Sequence, residues 1–377
     1  MTEKTVLVVG GGPAGLMASV SAAERGAKVV LLERNPFCGK KLNITGKGRG
    51  NLTNACDVGE FLSNVPVNGR FLYSALSDFS PEDVMSFFES NGVPVKTERG
   101  RRVFPVSDRA KDLTDCLVRT AKSLGVVIRR GTAEGPVVRD GRIRGVREAD
   151  GRVREADAVI LAAGGCSYPQ TGSDGKGYSF AEAAGHRIVS PKPSLVPLVS
   201  SDSFCRECMG LSLKNVRLRF SVPAQGGREE ILYEETGEML FTHFGCSGPV
   251  VLSASAHLRS GFPVRMRLDL KPALDEKTLD ARLLREFGGQ KNRDLQNVLG
   301  ALLPSKMILP FLKKTGLDGR KKAHDITREE RQTLLEGLKD LEIELTGTRP
   351  LSEAIVTSGG VDVSEVFPKT MESRIVK

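Results

Sequence analysis

Residues 5–33 read TVLVVGGGPAGLMASVSAAERGAKVVLLE, and this stretch decides the fold. Thr5–Val9 is a continuous β-branched and aliphatic run, the pattern of a parallel strand buried on both faces. Gly10-Gly11-Gly12-Pro13-Ala14-Gly15 follows as a GxGxxG. An alanine-rich stretch of helical period, Leu16–Arg25, comes next, and Gly26 punctuates its end. Lys28–Leu32 reads as a second buried strand that stops at Glu33. Each residue type has a mechanical use: Gly10 permits a tight turn, Gly12 lets backbone approach a pyrophosphate, and Gly15 lets the helix pack close on the strand. The helix N-terminus, with Pro13 and Ala14 in its first turn, offers unpaired N–H groups to an anion. Glu33, eighteen residues beyond Gly15, stands where a carboxylate takes adenosine ribose hydroxyls. The expectation is a dinucleotide-binding βαβ crossover.

Composition narrows the class. A chain of 377 residues has room for two or three domains. It carries 55 Lys and Arg against 46 Asp and Glu, a net charge of +9. With 40% hydrophobic and 27% charged residues it is an ordinary globular chain, not a disordered one. No apolar run approaches the ~18 residues of a membrane span. The break at Gly10–Pro13 also disqualifies the first apolar run as the core of a signal peptide. A cytoplasmic protein without a membrane partner is expected. Seven cysteines, an odd number scattered over a long chain, argue against a disulfide framework.

Two further segments look made for a cofactor. In Gly39–Asn54 (GKKLNITGKGRGNLTN), glycines at 46, 48 and 50 let backbone lie flat against a ligand. Lys41, Lys47 and Arg49 can face phosphates, and Asn51, Thr53 and Asn54 add short polar groups. The second segment is the strand Ala158–Leu161 followed by Ala162-Ala163-Gly164-Gly165, small residues that let the chain turn beneath a ligand. Tyr168–Gly177 continues that loop and is not a Walker A motif, because Lys176 is followed by Gly.

The remaining pattern gives the domain plan. Helices are expected at 81–91, capped by Ser80, and at 112–124, with a β-hairpin over 93–106 between them. A strand at 126–128 precedes an antiparallel meander turning at Asp140-Gly141 and Asp150-Gly151, with Ala133 just before it. Pro191-Lys192-Pro193 marks a change of texture. Beyond it, 211–222, 229–233, 239–241 and 264–270 alternate like antiparallel strands, and 279–287, 295–303, 305–314 and 327–338 have helical period. The plan is therefore a first part of a nucleotide-binding domain at 1–190, a β-rich domain at 191–271 and a helical insertion at 272–340. A return strand at 341–350 and a second part of the nucleotide-binding domain at 351–377 complete it.

Three constellations compete for chemistry. Cys205-Arg206-Glu207-Cys208 is a CxxC, but it lacks the strand–helix context of a redox dithiol and the four ligands of a zinc site, so free cysteines and no metal are expected. His243, in the loop Phe241–Pro249, is the candidate acid or base. Basic clusters at Lys313-Lys314, Arg320–Lys322 and Arg99–Arg102 are interleaved with acids. Aromatic residues are only 5% and tryptophan is absent, so stacking platforms are scarce and nucleic acid is not the expected partner.

GGGPAG at 10–15, GKKLNITGKGRGNLTN at 39–54, GRRVFPVSDRA at 100–110, LAAGGCSYPQTGSDGKGY at 161–178, GEMLFTHFGCSGPVVL at 237–252 and TSGGVDV at 357–363 occur in order. Together they resemble the BaiN/YhiN-type NAD(P)/FAD-dependent oxidoreductases, also called HI-0933-like flavoproteins, over essentially the whole chain. The resemblance implies a Rossmann-like α/β FAD-binding domain of glutathione-reductase type, interrupted by a β-barrel-like domain with a helical insertion. It implies FAD held through Gly10, Gly12, Pro13, Ala14, Gly15, Glu33, Arg34, Lys41, Gly46, Lys47, Gly48, Asn51, Thr53, Ala133, Ala163, Gly164 and Gly165. It also implies reduction of an unsaturated small molecule, for some members a 3-oxo bile acid, with NAD(P)H as a transient reductant; no second GxGxxG for a nicotinamide is visible. The family pattern has a cysteine where Gly50 stands. It also continues past the segment matching Met371-Glu372-Ser373-Arg374 with a stretch that closes the flavin site, whereas this chain stops at Lys377. Weak or absent FAD retention is the corresponding expectation. The alternatives are a tRNA-modifying or other nucleic-acid-directed flavoprotein, and an incomplete, redox-silent flavin-fold binding protein.

Overall fold

The computed structural model describes residues 4–224, 226, 228–258 and 261–377. Contacts divide the chain into two compact units, Met1–Lys192 with Thr357–Lys377, and Pro193–Val356.

In the first unit β1 (Thr5–Val9), α1 (Pro13–Glu24) and β2 (Lys28–Glu33) form a crossover. The parallel sheet runs in the order Ala158–Leu161, β1, β2, Val127–Arg130. Two-sided burial explains the unbroken apolar runs. Val8 and Leu31 join Leu16 and Val20 of α1 and Leu113 and Leu117 of the helix Ala110–Ser123. Leu7, Val9 and Leu32 face the other way, toward Val146 of the meander and Phe180 of the helix Lys176–Ala183. The meander comprises Ala133–Arg139, Arg142–Glu148 and Val153–Glu155. A smaller sheet pairs Thr53–Asn54 with Arg102–Pro105 and that strand with Val95–Glu98. The helix Pro81–Ser90 begins in a capping box between Ser80 and Asp83.

The second unit is built on a seven-stranded antiparallel sheet. Its order is Leu341–Leu345, Val264–Asp269, Ser212–Pro223, Glu229–Thr242, Gly245–Ser247, Leu198–Val199, Gly347–Thr348. Helices Glu276–Gly289, Ser305–Thr315 and Arg328–Lys339 lie between the strands Val264–Asp269 and Leu341–Leu345 in the chain. One apolar core joins sheet residues Phe220, Phe241 and Met266 to Leu283, Phe311 and Leu338 of those helices. Two local expectations differ from the structure. The runs at 229–233 and 239–241 are one 14-residue strand, because the polar stretch between them is held extended by pairing with Val216–Arg219. The helix expected over 295–303 is broken into Leu295–Val298 and a 3₁₀ turn at Leu299–Ala301, which contains Gly300. No helix of the described residues is long and apolar enough to cross a membrane.

Candidate functional site

The C-terminal ends of β1, β2 and Ala158–Leu161 open onto a crevice of about 320 Å³. Open α/β sheets bind ligands at this end of their strands. Of the residues expected from sequence to hold a cofactor, Gly10, Gly12, Pro13, Ala14, Glu33, Arg34, Lys41, Ala133, Ala163 and Gly164 line it.

The glycine turn is shaped by close approach. Gly10 has φ +108°, and a Cβ there would lie 2.4 Å from the Ala162 carbonyl oxygen. A Cβ on Gly15 would lie 1.9 Å from the Gly10 carbonyl oxygen, so this glycine underlies the turn and does not line the crevice. A Cβ on Gly12 would meet nothing within 4 Å. The open side of Gly12, at the N-terminus of the twelve-residue α1, is the face left for an anion. Gly11, given no role from sequence, also has to be small: a Cβ would sit 2.7 Å from Cys38 Sγ and 2.8 Å from Glu33 Oε2.

Glu33 is buried, 8% exposed, and held from three sides. Its Oε2 accepts the Gly11 N–H at 2.6 Å, and Oε1 accepts the Asn35 N–H at 2.7 Å and Asn35 Nδ2 at 2.8 Å. An ionised carboxylate accepts about four hydrogen bonds, which leaves capacity on Oε2 for a ribose hydroxyl. Arg34 Nη1 donates to Asp174 Oδ2 at 2.8 Å, and Nη2 donates to the Gly172 carbonyl. These contacts bring the loop Thr171–Asp174 to the same end of the crevice. Asn35, Lys40, Thr171, Ser173, Asp174 and Lys176 line it without having been singled out as ligands. The only sequence signal for most of them was that their loop continues directly from Gly164-Gly165.

Lys41 Nζ donates to the Ser167 carbonyl at 2.9 Å and to Ser167 Oγ at 2.8 Å. Burial pushes its ammonium below the ordinary value, while the nearby Cys166 works the other way. The crevice thus offers an uncovered helix N-terminus, a half-buried ammonium and a buried carboxylate with acceptor capacity to spare. That donor set fits the adenosine and diphosphate of FAD. Residues 10–14 with Lys41 would hold the diphosphate, and Glu33 the ribose. When bound, FAD would supply hydride transfer.

Other expected ligands lie elsewhere. Gly46, Lys47, Gly48, Asn51 and Thr53 do not line the crevice; their loop folds against the hairpin Val95–Pro105. A Cβ on Gly46 would touch Phe104 at 2.9 Å, and Thr53 pairs with Val103. Asn51 faces the Val103 and Thr53 carbonyls at 3.3 Å. Arg49 is engaged by carboxylates, with Nη2 donating to Asp108 Oδ1 at 2.6 Å and to Glu98, and it stacks 4.4 Å over the Phe104 ring. Gly165 sits beneath Thr357 and Tyr178. His243 belongs to the second unit, on the turn between Glu229–Thr242 and Gly245–Ser247, its ring edge-on to Phe244 at 4.9 Å. Cys205 Sγ lies 3.7 Å from Cys246 Sγ, and all seven cysteines are free.

Comparison with known proteins agrees with this geometry. The family described as HI0933-like protein Rossmann domain matches residues 4–377. A 3-dehydro-bile acid delta(4,6)-reductase of Clostridium scindens is 31% identical over 375 residues, 97% of this chain and 89% of that protein. A ribosomal RNA dihydrouridine synthase of Escherichia coli K12 is 28% identical over 377 residues, 100% of this chain and 90% of that protein. Among solved structures, a 3-ketosteroid-delta4-(5alpha)-dehydrogenase of Rhodococcus jostii RHA1 is 16% identical with a TM-score of 0.43, covering 98% of this chain and 88% of that one. With a Rossmann crevice suited to FAD and a family match along nearly its whole length, this chain belongs to the HI0933-like family of FAD-dependent oxidoreductases.

Proposed function

We propose that the protein reduces a carbon–carbon double bond conjugated to a carbonyl in a small molecule, using FAD reloaded by a transiently docked NAD(P)H. The observation that carries the cofactor half of this reading is the pairing of Gly12's uncovered face with the buried Glu33 at one crevice. The substrate half is supported by what two relatives' names have in common. A 3-oxo-Δ4,6 steroid and a uracil ring both present an alkene conjugated to a carbonyl, and both reductions add one hydride and one proton across it. The protein's part is to bind, orient and exclude water around that exchange.

An RNA-borne uracil is the second reading, favoured by the full-length similarity to the ribosomal RNA enzyme. Ion pairing supports the small-molecule reading instead. Lys313 pairs with Glu207, Lys314 with Asp202, Lys321 with Glu330 and Lys322 with Asp294, so much of the basic charge noted in the sequence is already neutralised. The deciding experiment is anaerobic NADH and NADPH oxidation by FAD-loaded protein with a 4,6-dien-3-oxo steroid acid or with unmodified ribosomal RNA. Turnover of the steroid at RNA-independent rates supports the first reading, and salt-sensitive dihydrouridine formation supports the second. A protein that takes up no FAD would leave only a redox-silent binding role.

A further inference from the structure

Residues 165–175 form a loop closed at its base, where the Gly175 N–H donates to the Gly165 carbonyl at 3.2 Å. Its first half is pinned. Thr357 Oγ1 accepts the N–H groups of Cys166 at 2.8 Å and Ser167 at 3.1 Å, and Lys41 Nζ donates to Ser167. Its second half, 171–174, lines the crevice. The chain leaves the strand Ala158–Leu161 on one side of β1 and is tied to Arg34 and Asn35, beyond the end of β2, on the other. With about 4.8 Å between neighbouring strands, it reaches two strands across, past the glycine turn at the end of β1.

The ties of this second half are polar. Arg34 Nη1 donates to Asp174 Oδ2 at 2.8 Å, Arg34 Nη2 to the Gly172 carbonyl, and Asn35 Nδ2 to the Thr171 carbonyl at 3.2 Å. The ion pair is partly open to water, its side chains 26% and 37% exposed. The Arg34 guanidinium holds the Asp174 carboxyl below the usual range, so the pair is charged at neutral pH. Left-handed backbone at Tyr168 (φ +52°), Gly172 (φ +102°) and Gly175 (φ +85°) supplies joints before, within and after the segment. A loop with a closed base, such joints and polar fastenings opens locally without disturbing the sheet beneath it. Asn35 also donates to Glu33 Oε1, so the fastening and the carboxylate meant for the ribose share a residue. Ser173, 7% exposed, lines the crevice with its hydroxyl unpartnered among the described residues, so the loop carries a polar group toward a ligand.

We propose that residues 171–174 are a strap that lifts to admit FAD and shuts behind it, with the Arg34–Asp174 ion pair as its clasp. This rests on the FAD reading of the crevice and adds control over how fast the cofactor enters and leaves. The clasp joins two side chains of the protein and is closed in both the empty and the loaded state. Weakening it therefore speeds entry and release together and leaves affinity nearly unchanged. A side chain that only touches bound FAD behaves differently: its loss weakens affinity, mostly through faster release.

The test is Asp174→Asn, which keeps an acceptor for the Lys176 N–H and removes the charge. FAD-free protein is mixed with increasing FAD, and the change in flavin fluorescence gives both rates. Entry and release should each quicken on the order of fivefold, the effect of losing a partly exposed ion pair, with affinity within twofold of the wild type. Raising salt to about 1 M should speed release from the wild type by a similar factor and leave the variant unchanged, because it screens the same pair. The salt series on the wild type decides the matter even if the variant does not fold. Amide hydrogen exchange of the FAD-free proteins is the second readout. The variant should exchange faster at the Thr171 and Gly172 N–H groups, which bond the Tyr168 and Pro169 carbonyls, while the Gly175 N–H at the base keeps its rate. Unchanged rates in the variant, salt-independent release from the wild type, or faster release with entry unaltered would each overturn the strap. Faster exchange at Thr171 and Gly172 in a protein that takes up no FAD establishes the opening of the loop but ends the FAD reading and the strap's role with it. FAD uptake with rates and exchange unmoved keeps the FAD reading and overturns the strap alone.

Discussion

Gly11 and Glu33 are joined across the β1–β2 crossover by a 2.6 Å hydrogen bond from the Gly11 amide to the Glu33 carboxylate. The same contact is why residue 11 is glycine, since a Cβ there would strike that carboxylate. A buried acid at the end of a parallel strand therefore both holds the glycine turn and retains one free acceptor site. Its removal has two separable consequences.

Glu33→Gln should lower FAD affinity by roughly 10- to 100-fold, since a hydrogen bond to a charged group contributes about 1.5–3 kcal/mol. The amide cannot accept from the Gly11 and Asn35 N–H groups at both of its ends, so a lower melting temperature should accompany the loss. Flavin fluorescence titration and a thermal melt of the FAD-free protein report the two effects independently. An affinity within threefold of the wild type would place the ribose elsewhere.

Two of the fingerprint glycines should fail in different ways. Gly12→Ala meets nothing within 4 Å and should fold with near wild-type stability, yet lose FAD because the methyl occupies the diphosphate's position. Gly15→Ala drives a methyl to 1.9 Å from the Gly10 carbonyl and should destabilise the unit by several kcal/mol whether or not FAD is present. Melting curves with and without FAD separate the cases: Gly12→Ala should lose only the FAD-dependent rise, and Gly15→Ala the baseline as well.

The crossover was legible because each signal in it is local: an apolar strand, a glycine turn, a helical period and an acid at the next strand's end. Residues brought in by distant chain were not. Asp174 reaches Arg34 over 140 positions, and Thr357 meets Gly165 and Tyr178 from the far end of the sequence. Arg49 illustrates the converse error. As a cation in a glycine loop it reads as a phosphate ligand, but Glu98 lies in a hairpin and Asp108 just beyond it, and no local pattern announces where they fall. Likewise Glu234–Glu238 has the composition of a turn, and only its pairing with the neighbouring strand keeps it extended.

That Arg49 cluster makes stability depend on pH. Arg49 holds the Glu98 carboxyl below the usual range, and Lys96, then Arg49, do the same for Asp108. Carboxylates whose folded pKa is depressed add stability above the ordinary carboxylate range of about pH 4, and that contribution is lost as pH falls through their folded values. The melting-temperature gap between the wild type and Arg49→Met should therefore be largest near neutrality and shrink below about pH 4. FAD affinity of Arg49→Met near neutral pH should stay close to the wild type, since the guanidinium is already committed to carboxylates. A gap that widens on acidification, or FAD loss without destabilisation, would return Arg49 to the cofactor.

Thiol chemistry tests the second unit. Cys205, Cys208 and Cys246 are all fully buried, and burial pushes Cys208 up to about 12. Cys38 and Cys116 are also buried, whereas Cys56 and Cys166 are partly exposed, with thiols raised first by desolvation. A disulfide reagent at neutral pH should modify Cys56 and Cys166 alone in the folded protein, faster as pH rises because the thiolate is the nucleophile. The other five should react only after denaturation. If Cys205 or Cys208 were labelled as fast as Cys56, the CxxC would be an accessible dithiol. Peptide mapping of the labelled sites decides between them, and FAD should slow Cys166 more than Cys56, because Cys166 adjoins Lys41 at the crevice.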